Sequence, residues 1–545
     1  MGVYEKEELG FTVLSVIFLL ATPSHECSIP PNTNLSQEWI QAITPAQVEQ
    51  RSCRRYALDL VVNASRYGLK PGLVNTTGSE VSLQTLPLEE CNDGWRYSQQ
   101  YYNSTVVTEF GMVCADQWKQ PLSSLIFFAG GLLGCFVCGQ LSDRLGRRPV
   151  LLGSLLLQTV FSGGLAFAPS WPVFMAFFFM VGFGQASCYI VAFVLGTELL
   201  TGGTRVLFSA LGLPFCFVFG SMLSPYIAYV LPNWRHLSSA MVASTIACLP
   251  FWWMIPESPR WLLSQGHKED AEKIILSIAL ENQVEAPANI FCQDKLDKNF
   301  SAEKSVNSAS FFDLLRTRNV RHITALLWIC WLCVHLSYYG LSFITSGLYG
   351  NPFLNYFLAS AIELPAYLFS WLAAARCPRR VAFVMFGVLG SVSLLLIVFT
   401  TNTYPKITLS LVLLGKFGVL AGLSSMYIHT GELFPTIIRN TAMSSCAMLG
   451  RVGASLSPYI QHLDVVSPSL PWLVVASLSL LSVLLLFFLP ETFKEPLPDA
   501  IEQMAKPHSF SLIFRCCSSS KENTDRKLVS VSTVSPVPEV LSTRL

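Results

Sequence analysis

One arginine lies in a run of small and apolar residues in the last third of the chain. The run reads AMSSCAMLGRVGASLSP over residues 442–458, and Arg451 is its only charged residue. A charge inside a bilayer is costly and usually functional, and a guanidinium pairs well with a carboxylate. If this run crosses a membrane, the presence of Arg451 requires an explanation.

Two further charges, Glu363 and Lys416, lie in apolar stretches. Glu363 could offset the charge of Arg451, attract a cationic substrate group, or form a structural pair with a neighbouring helix; the residues alone leave these alternatives open. Lys416 is interpreted as structural or as reaching towards the membrane surface.

Charged landmarks recur along the chain at a nearly constant interval, which indicates an internal duplication. Each landmark occupies the same place in a block of six apolar segments. The pairs are Glu198 with Glu432, Arg205 with Arg439, PESP (256–259) with PETF (490–493) and, at an interval two residues shorter, Arg147-Arg148 with Arg379-Arg380.

The composition of the chain indicates a membrane protein, in which these residues lie. Of the 545 residues, 52% are hydrophobic and only 13% are charged, whereas soluble proteins have about 25% charged residues. A net charge of +1 gives no argument for nucleic-acid binding. Windows of about 20 residues predict eleven membrane spans. They are 121–140, 150–168, 171–196, 206–232, 236–255, 322–344, 352–375, 381–400, 407–429, 440–462 and 470–490.

A twelfth apolar segment, residues 9–22, is short for a span. The leader MGVYEKEE is acidic rather than basic, which argues against a signal peptide. The segment is therefore predicted to be a shortened first transmembrane helix, with a signal peptide as the alternative.

The polar stretch after this segment predicts an extracellular loop. It contains four glycosylation sequons and four cysteines, which together indicate an oxidised, glycosylated compartment; the cysteine pairing is left open. Short loops on the other side are rich in arginine, which indicates the cytoplasm and, if the first segment spans the membrane, places both termini there. The sequons are at Asn34, Asn63, Asn75 and Asn103, and the cysteines are Cys27, Cys53, Cys91 and Cys114.

Two parallel six-helix halves joined by a long loop are the architecture of the major facilitator superfamily, an all-α membrane fold with twelve transmembrane helices. No phosphate-binding loop of the Walker A type occurs, so ATP-driven pumping has no motif. The predicted units are 1–22 (N-terminus and partial first helix), 23–120 (extracellular loop), 121–255 (helices two to six), 256–321 (cytoplasmic loop), 322–490 (helices seven to twelve) and 491–545 (cytoplasmic tail).

The repeated charges at the arginine-rich ends are predicted to form a gate. In GQLSDRLGRRP (139–149), Gly146 permits a tight turn and Asp143 can pair with arginines at neighbouring helix ends. Simple interfacial anchoring is the alternative. The predicted gate residues are Asp143, Arg144, Arg147, Arg148, Glu198, Arg205, Glu257, Arg260, Glu432 and Arg439.

These motifs resemble solute carrier family 22, the organic ion transporters. The resemblance rests on GQLSDRLGRRP, on PESPRWLLSQG (256–266) and on the loop that carries sequons and cysteines. Several stretches are similar to the organic cation/carnitine branch, namely SCRRYAL (52–58), FVLGTELL (193–200), LLRTRN (314–319), GELFPTIIRN (431–440), LSPYI (456–460) and PLPDAIEQM (496–504).

The resemblance implies a multi-pass plasma-membrane carrier of small organic cations or zwitterions such as carnitine and ergothioneine, with sodium as a candidate coupling ion. An arginine at position 451 resembles the anion and carnitine branches rather than carriers of simple cations. A quaternary ammonium has no N–H to donate and needs aromatic faces. The implied substrate-binding set is Arg451, Tyr338, Tyr339, Tyr367, Tyr427 and Glu363, with Gln158 and Gln185 matching glutamines associated with substrate and sodium.

The sequence departs from the branch at Cys188, which precedes Tyr189, at His335 and in the short first helix; these departures weaken the inference of sodium coupling. The alternatives are an organic anion carrier of the same family and a non-transporting variant. No nucleophile–base arrangement or metal-ligand spacing indicates an enzyme, a metal or a cofactor. The chain ends in Thr543-Arg544-Leu545, which fits a ligand for a PDZ-domain protein.

Overall fold

A computed structural model describes residues 15–30, 33, 35, 37–43, 53–67, 70–72, 80–82, 86–200, 202–248, 250, 255–283, 313–348, 350–400 and 404–493. Asn34, Asn75, the start of the predicted first helix (9–14) and the C-terminal tail from residue 494 lie outside the described residues. Of the first helix, residues 15–19 are helical and residues 16–20 are buried.

Each of the eleven predicted spans coincides with one helix or with one interrupted helix. The first half contains α4 (Lys119–Leu145), α5 (Arg147–Leu165), α6 (Trp171–Leu199), α7 (Gly202–Leu207), α8 (Leu213–Val230) and α9 (Trp234–Cys248). The second half contains α13 (Arg318–Ser346), α14 (Pro352–Ala361), α15 (Glu363–Arg376), α16 (Arg379–Thr400), α17 (Pro405–Leu433), α18 (Thr436–Gln461) and α19 (Leu470–Leu486).

By length and composition, six of the described helical segments can cross a membrane; they are Cys114–Leu145, Trp171–Leu199, Arg318–Thr345, Pro352–Arg376, Arg379–Thr400 and Pro405–Leu433. Two predicted spans are not continuous α-helices. A π-helical segment, Phe208–Gly212, joins α7 to α8, and a break at Ile362 separates α14 from α15. Pro365 accounts for the second break, because it cannot donate a hydrogen bond to the carbonyl of Ala361.

Outside the spans, α10 (Pro259–Ser264), α11 (Lys268–Glu281) and α12 (Asp313–Arg316) belong to the predicted cytoplasmic loop and its edge. The predicted extracellular loop is a small domain of paired strands and short helices. It contains β1 (His25–Cys27), α1 (Gln37–Ala42), β2 (Arg54–Tyr56), α2 (Leu58–Arg66), β3 (Lys70–Gly72), β4 (Glu80–Ser82), β5 (Leu88–Glu90), β6 (Trp95–Tyr97) and α3 (Val106–Glu109). Strand β1 pairs antiparallel with β6, β2 antiparallel with β5, and β3 parallel with β4.

The loop domain is oxidised as the sequence predicts. Cys27 is bonded to Cys91 and Cys53 to Cys114, which settles the pairing that the sequence left open. The buried Arg55 holds the domain together by donating to Glu89 at 2.8 Å, to Asp93 at 2.5 Å and to the carbonyl of Ser28. The sequons at Asn63 and Asn103 are exposed; glycosylation stays a prediction.

Glycines allow the helices to pack closely in the membrane. A Cβ at Gly130 would lie 2.1 Å from the carbonyl oxygen of Phe179, and one at Gly134 would lie 2.3 Å from that of Phe183. Helices α4 and α6 therefore pack backbone to backbone, as small-residue motifs permit in membranes.

Three apolar clusters in the membrane part show how the halves meet. We call the side that carries residues 23–118 the loop face, and the side that carries Arg147 and Arg379 the arginine face. One cluster combines both halves near the loop face, including Phe128 from α4 with Phe343 from α13 and Phe353 from α14. The other two belong to one half each.

The loop domain is attached to the membrane helices through Glu109. Its carboxylate accepts a hydrogen bond from Nε1 of Trp234 at 2.6 Å and forms an ion pair with Arg235. Arg235 also donates to the carbonyls of Ala166 and Ala168. Burial favours the neutral acid, but the hydrogen bonds from Arg235 and Trp234 outweigh it and lower the pKa of Glu109 below its usual value.

A carboxyl group whose pKa is lower in the folded protein stabilises the fold above its unfolded pKa and stops doing so as the pH falls through its folded pKa. We therefore expect the unfolding temperature of the purified protein to drop on acidification more steeply in the wild type than in Glu109→Gln, which lacks this titration. Fluorescence-detected thermal unfolding from pH 7 to pH 3 measures the difference. An equal pH dependence of the unfolding temperature in the two proteins would contradict the stabilising role of the Glu109–Arg235 pair.

Candidate functional site

Arg147 is the centre of a charge cluster at the arginine face of the first half. Its guanidinium binds the carboxylate of Glu198 through two hydrogen bonds of 3.1 Å and donates to the carbonyl of Ser142. Asp143 lies 3.1 Å from the same guanidinium. The cluster thus joins the end of α4, the start of α5 and the end of α6.

The same cluster contains a second carboxylate, which caps a helix. Glu257 accepts backbone hydrogen bonds from Arg147 at 2.9 Å and from Arg148 at 3.2 Å. The first turn of a helix has unpaired N–H groups and a positive dipole, so a carboxylate there is stabilising. Gly146 precedes these donors with φ of +105°, and a Cβ on it would lie 2.6 Å from an oxygen of Glu257.

The second half repeats the core of this arrangement, although Ala375 stands where the first half has Asp143. The guanidinium of Arg379 binds Glu432 at 2.8 to 3.2 Å and donates to the carbonyl of Ala374. Glu491 accepts backbone hydrogen bonds from Arg379 at 2.8 Å and from Arg380 at 3.0 Å. The interval that the sequence shows between these residues is therefore the repeat of a three-dimensional motif.

The pairs that Arg147 and Arg379 form lie within their own halves and do not bridge the two. Contacts between the halves lie nearer the loop face and are aromatic: Phe128 packs on Tyr339 with ring centres 5.4 Å apart, and Phe18 packs on Phe353 at 5.6 Å. These contacts join the two halves near the loop face.

The other predicted gate residues are less engaged. Arg144, Arg205 and Arg260 are exposed. Arg439 is half-buried, donates from Nε to the carbonyl of Phe434, and has one buried guanidinium nitrogen without a hydrogen-bond partner. Arg205 and Arg439 occupy equivalent sequence positions, so the two halves differ here in this conformation.

Arg451 is half-buried on α18, between the two halves. Its position depends on close packing of α18 against α13. A Cβ at Gly450 would lie 2.8 Å from the ring of His335, and one at Gly453 would lie 2.6 Å from the carbonyl oxygen of Leu332. The glycines that flank Arg451 thus let the helices approach, and no carboxylate among the described residues forms an ion pair with its guanidinium.

Three tyrosines, Tyr189, Tyr339 and Tyr427, lie near this arginine. Tyr427 is 42% exposed although it lies within α17, so it faces open space rather than a packed interior. Its ring packs edge-on against Trp331, with the ring centres 4.3 Å apart. The ring of His335 stacks on Trp331 with the ring centres 5.2 Å apart.

Glu363 and Tyr338 are buried against each other in the second half, and their role in substrate binding stays a prediction. Both oxygens of Glu363 are buried and the side chain is 0% exposed; one oxygen lies 2.8 Å from Nζ of Lys416 and accepts a hydrogen bond of 3.0 Å from Tyr338. Of the alternatives for Glu363, the structure shows the structural pair with a neighbouring helix.

Gln158 and Gln185 are also buried rather than open to a cavity, with 2% and 5% exposure. They lie on α5 and α6, which pack against each other. Tyr339 and Tyr367 are half-buried. Sequence reasoning missed Tyr189, which lies near Arg451, and Phe128, which packs on Tyr339; a tyrosine and a phenylalanine in apolar spans carry no signal that separates them from packing residues.

One group of metal-capable side chains occurs among the described residues, His25 with Cys53 and Cys114. These two cysteines form a disulfide, so they are not thiolate ligands in this structure. Nothing in this group provides a cofactor site.

Comparison with known proteins places these features in a family. Residues 82–504 match the family model of the sugar (and other) transporters. The chain is 42% identical over 502 residues to the human organic cation/carnitine transporter 2, covering 91% of this chain and 89% of that protein. It is 40% identical to mouse solute carrier family 22 member 4, covering 95% of this chain and 92% of that protein.

Solved structures share the fold. The xylose transporter XylE from E. coli, in a partially occluded inward-open conformation, aligns with a TM-score of 0.56 and 15% identity over 70% of this chain and 90% of that chain. The same transporter with a bound bromodeoxyglucose aligns with a TM-score of 0.53 and 17% identity over 70% of this chain and 88% of that chain. At this identity the likeness concerns the fold alone, and it confirms the predicted architecture of two six-helix halves.

The turn at Gly146 yields a prediction with an internal control. Gly146→Ala should destabilise the protein by about 1–2 kcal/mol through its left-handed backbone, and further because the added Cβ would press on Glu257. Gly153→Ala, in the same helix with open space around its Cα, should be neutral or slightly stabilising. Unfolding temperatures of both variants, measured by fluorescence-detected size exclusion, compare them; equal values would refute the strained turn.

Proposed function

Because the chain belongs to the sugar (and other) transporter family and, within it, to solute carrier family 22, we propose that it is a plasma-membrane secondary carrier of small organic zwitterions and cations such as carnitine or ergothioneine. Its family consists of transporters rather than enzymes. Transport proceeds by alternating access of a central site to the two sides of the membrane, with sodium as the candidate coupling ion.

The observation that carries this proposal is the unpaired, half-buried Arg451 among tyrosines. A guanidinium in a low-dielectric site without a carboxylate of its own attracts the carboxylate of a ligand. The faces of Tyr427 and Tyr339 offer attractive surfaces to a quaternary ammonium, which cannot donate hydrogen bonds. A substrate with both groups satisfies the whole site.

The charge clusters support the alternating-access part of the proposal. Arg147 and Arg379 each bind together the helix ends of one half, so each half can move as a rigid body. The buried unpartnered nitrogen of Arg439 is a donor available to a carboxylate of the opposite half when the arginine face closes. The exposed carboxylate of Asp143, whose side chain is 72% exposed, is the candidate acceptor.

The side of the membrane on which each face lies stays a prediction from the sequence, with the arginine face cytoplasmic. The PDZ ligand at Thr543-Arg544-Leu545 lies outside the described residues and also stays a prediction.

Uptake of labelled carnitine and ergothioneine by cells that express the chain tests the role of Arg451. Arg451→Gln should lower uptake at least about tenfold, since a charge-assisted hydrogen bond is worth about 1.5–3 kcal/mol, whereas Arg451→Lys should keep part of it. Surface labelling controls for delivery to the plasma membrane. Replacement of sodium in the medium tests the coupling ion.

Competition separates the proposed carrier from an organic anion carrier. A zwitterion should compete well, and a quaternary ammonium without a carboxylate should compete weakly. Strong competition by a carboxylate without an ammonium, with no uptake of either zwitterion, would favour the anion carrier. Normal surface delivery without uptake of any of these compounds would favour a non-transporting variant.

The aromatic contribution is tested at Tyr427. Tyr427→Leu removes a ring face worth about 0.5–2 kcal/mol to a cation and should raise the KM for carnitine about two- to thirtyfold, whereas Tyr427→Phe should change it little. Phe399→Leu, at an exposed aromatic residue at the end of α16, is the matched control. An unchanged KM in Tyr427→Leu would exclude this ring from the site.

A further inference from the structure

A second polar centre lies inside the second half, separate from Arg451. Glu363 and Lys416 form an ion pair at 2.8 Å, and both side chains are 0% exposed. Nζ of Lys416 lies 5.6 Å from the ring centre of Tyr338 and 5.8 Å from that of Tyr356. Burying an ion pair costs several kcal/mol per ion unless hydrogen bonds satisfy the remaining polar atoms.

These remaining atoms are not satisfied. The second oxygen of Glu363, the hydroxyl of Tyr356 and the hydroxyl of Ser360 are buried without a hydrogen bond of acceptable geometry, and so is Nζ of Lys416. Tyr356 and Ser360 lie one helical turn apart and close to each other. Buried polar atoms are almost always paired, so a group of them in one place indicates a missing ligand.

The three oxygen-bearing residues share one face of an interrupted helix. Tyr356, Ser360 and Glu363 follow the spacing i, i+4, i+7, which places them on one side of a helix. The helix breaks at Ile362, and Pro365 leaves the carbonyl of Ala361 without its helical donor. Interrupted transmembrane helices whose first segment ends in free carbonyls are a recurrent setting for small-cation sites in carriers.

We propose that this break holds a site for one small monovalent cation. Its oxygen ligands are the second carboxylate oxygen of Glu363 and the hydroxyls of Tyr356 and Ser360. Lys416 is a built-in competitor, because its ammonium neutralises the same carboxylate when the cation is absent. The residues supply only oxygen donors and one negative charge, which suits a hard cation such as Na⁺ or Li⁺.

The location of the site links binding of the cation to the angle between α14 and α15. Helix α14, which carries Tyr356 and Ser360, packs against α8 of the first half, whereas α15, which begins at Glu363, packs against α17 of its own half. A cation that bridges α14 and α15 therefore fixes the angle between a segment whose most extensive packing is on the opposite half and one whose most extensive packing is on its own half. This inference rests on the proposed function for its candidate ion and deepens it by locating a site, which does not depend on the identity of the transported substrate.

Thermal unfolding of the purified full-length chain in detergent tests the site without any substrate. Chloride salts of Li⁺, Na⁺, K⁺ and Cs⁺ are compared at equal ionic strength, because organic cations could occupy the central cavity. A ligand that binds only the folded state raises the unfolding temperature. We expect Na⁺ or Li⁺ to raise it above the value in Cs⁺; equal values across the series would overturn the proposal.

Ser360→Ala is the decisive variant, because it removes a proposed ligand hydroxyl that has no hydrogen bond of acceptable geometry in this structure and should therefore cost little folding stability. It should raise the half-maximal concentration of the stabilising cation about tenfold, a loss of about 1.4 kcal/mol. Ser370→Ala, which removes a buried hydroxyl of α15 that bonds to Ser425 at 3.2 Å, should lower stability in all salts and keep the difference between cations. A cation effect unchanged in Ser360→Ala would overturn the assignment.

Two further variants test the competition. Glu363→Gln should abolish the difference between cations, and Lys416→Met should increase it, since the carboxylate then lacks its internal partner. An equal loss of stability of Lys416→Met in every salt would show that Lys416 is no competitor. Should Glu363→Gln fail to fold, Ser360→Ala still decides the question, and failure of carnitine uptake would leave this result unaffected.

Discussion

A charge in a low-dielectric interior is stable only beside an opposite charge or an oriented dipole, and the charge clusters at the arginine face follow this constraint. Arg147 is bound to Glu198 and Arg379 to Glu432. Glu257 and Glu491 use the N-terminal N–H groups of α5 and α16 instead. Arg451 is the exception, since its guanidinium has no carboxylate partner among the described residues. A carrier needs a charge without a protein partner, because the substrate can then supply the opposite charge.

The duplicated charge clusters explain how the halves remain intact while the space between them changes. Each cluster joins three helix ends of its own half and a carboxylate that follows the last helix of that half. None of the described bonds of Arg147 or Arg379 would break if the halves rotated against each other. The contacts between halves are aromatic instead, around Phe128 and Phe353. Ring contacts are weaker and less directional than bidentate ion pairs, so they can be broken and remade.

The two halves differ outside the duplicated clusters at the helix ends. The Glu363–Lys416 pair lies in the second half only, at a helix break that Pro365 causes. Its position in the interior of one half, with oxygen atoms left unpaired, differs from the helix-end clusters, whose carboxylates accept several hydrogen bonds each. The helix-end clusters fix the helix ends of each half, whereas the interior pair leaves buried polar atoms available to bind a ligand.

The sequence alone determined the fold class, the helix positions and the repeated landmarks, because a bilayer requires apolar runs of fixed length and a duplication preserves spacing. It also identified Arg451 as the costly charge. The disulfide pairing, the partner of Glu363 and the burial of Tyr338, Gln158 and Gln185 were decided only by the tertiary structure. Helical spacing shows which residues share a face, but the neighbour that this face meets depends on crossing helices far away in the chain. Lys416 and Glu363 therefore meet because α15 packs on α17, and no local pattern in the sequence encodes that contact.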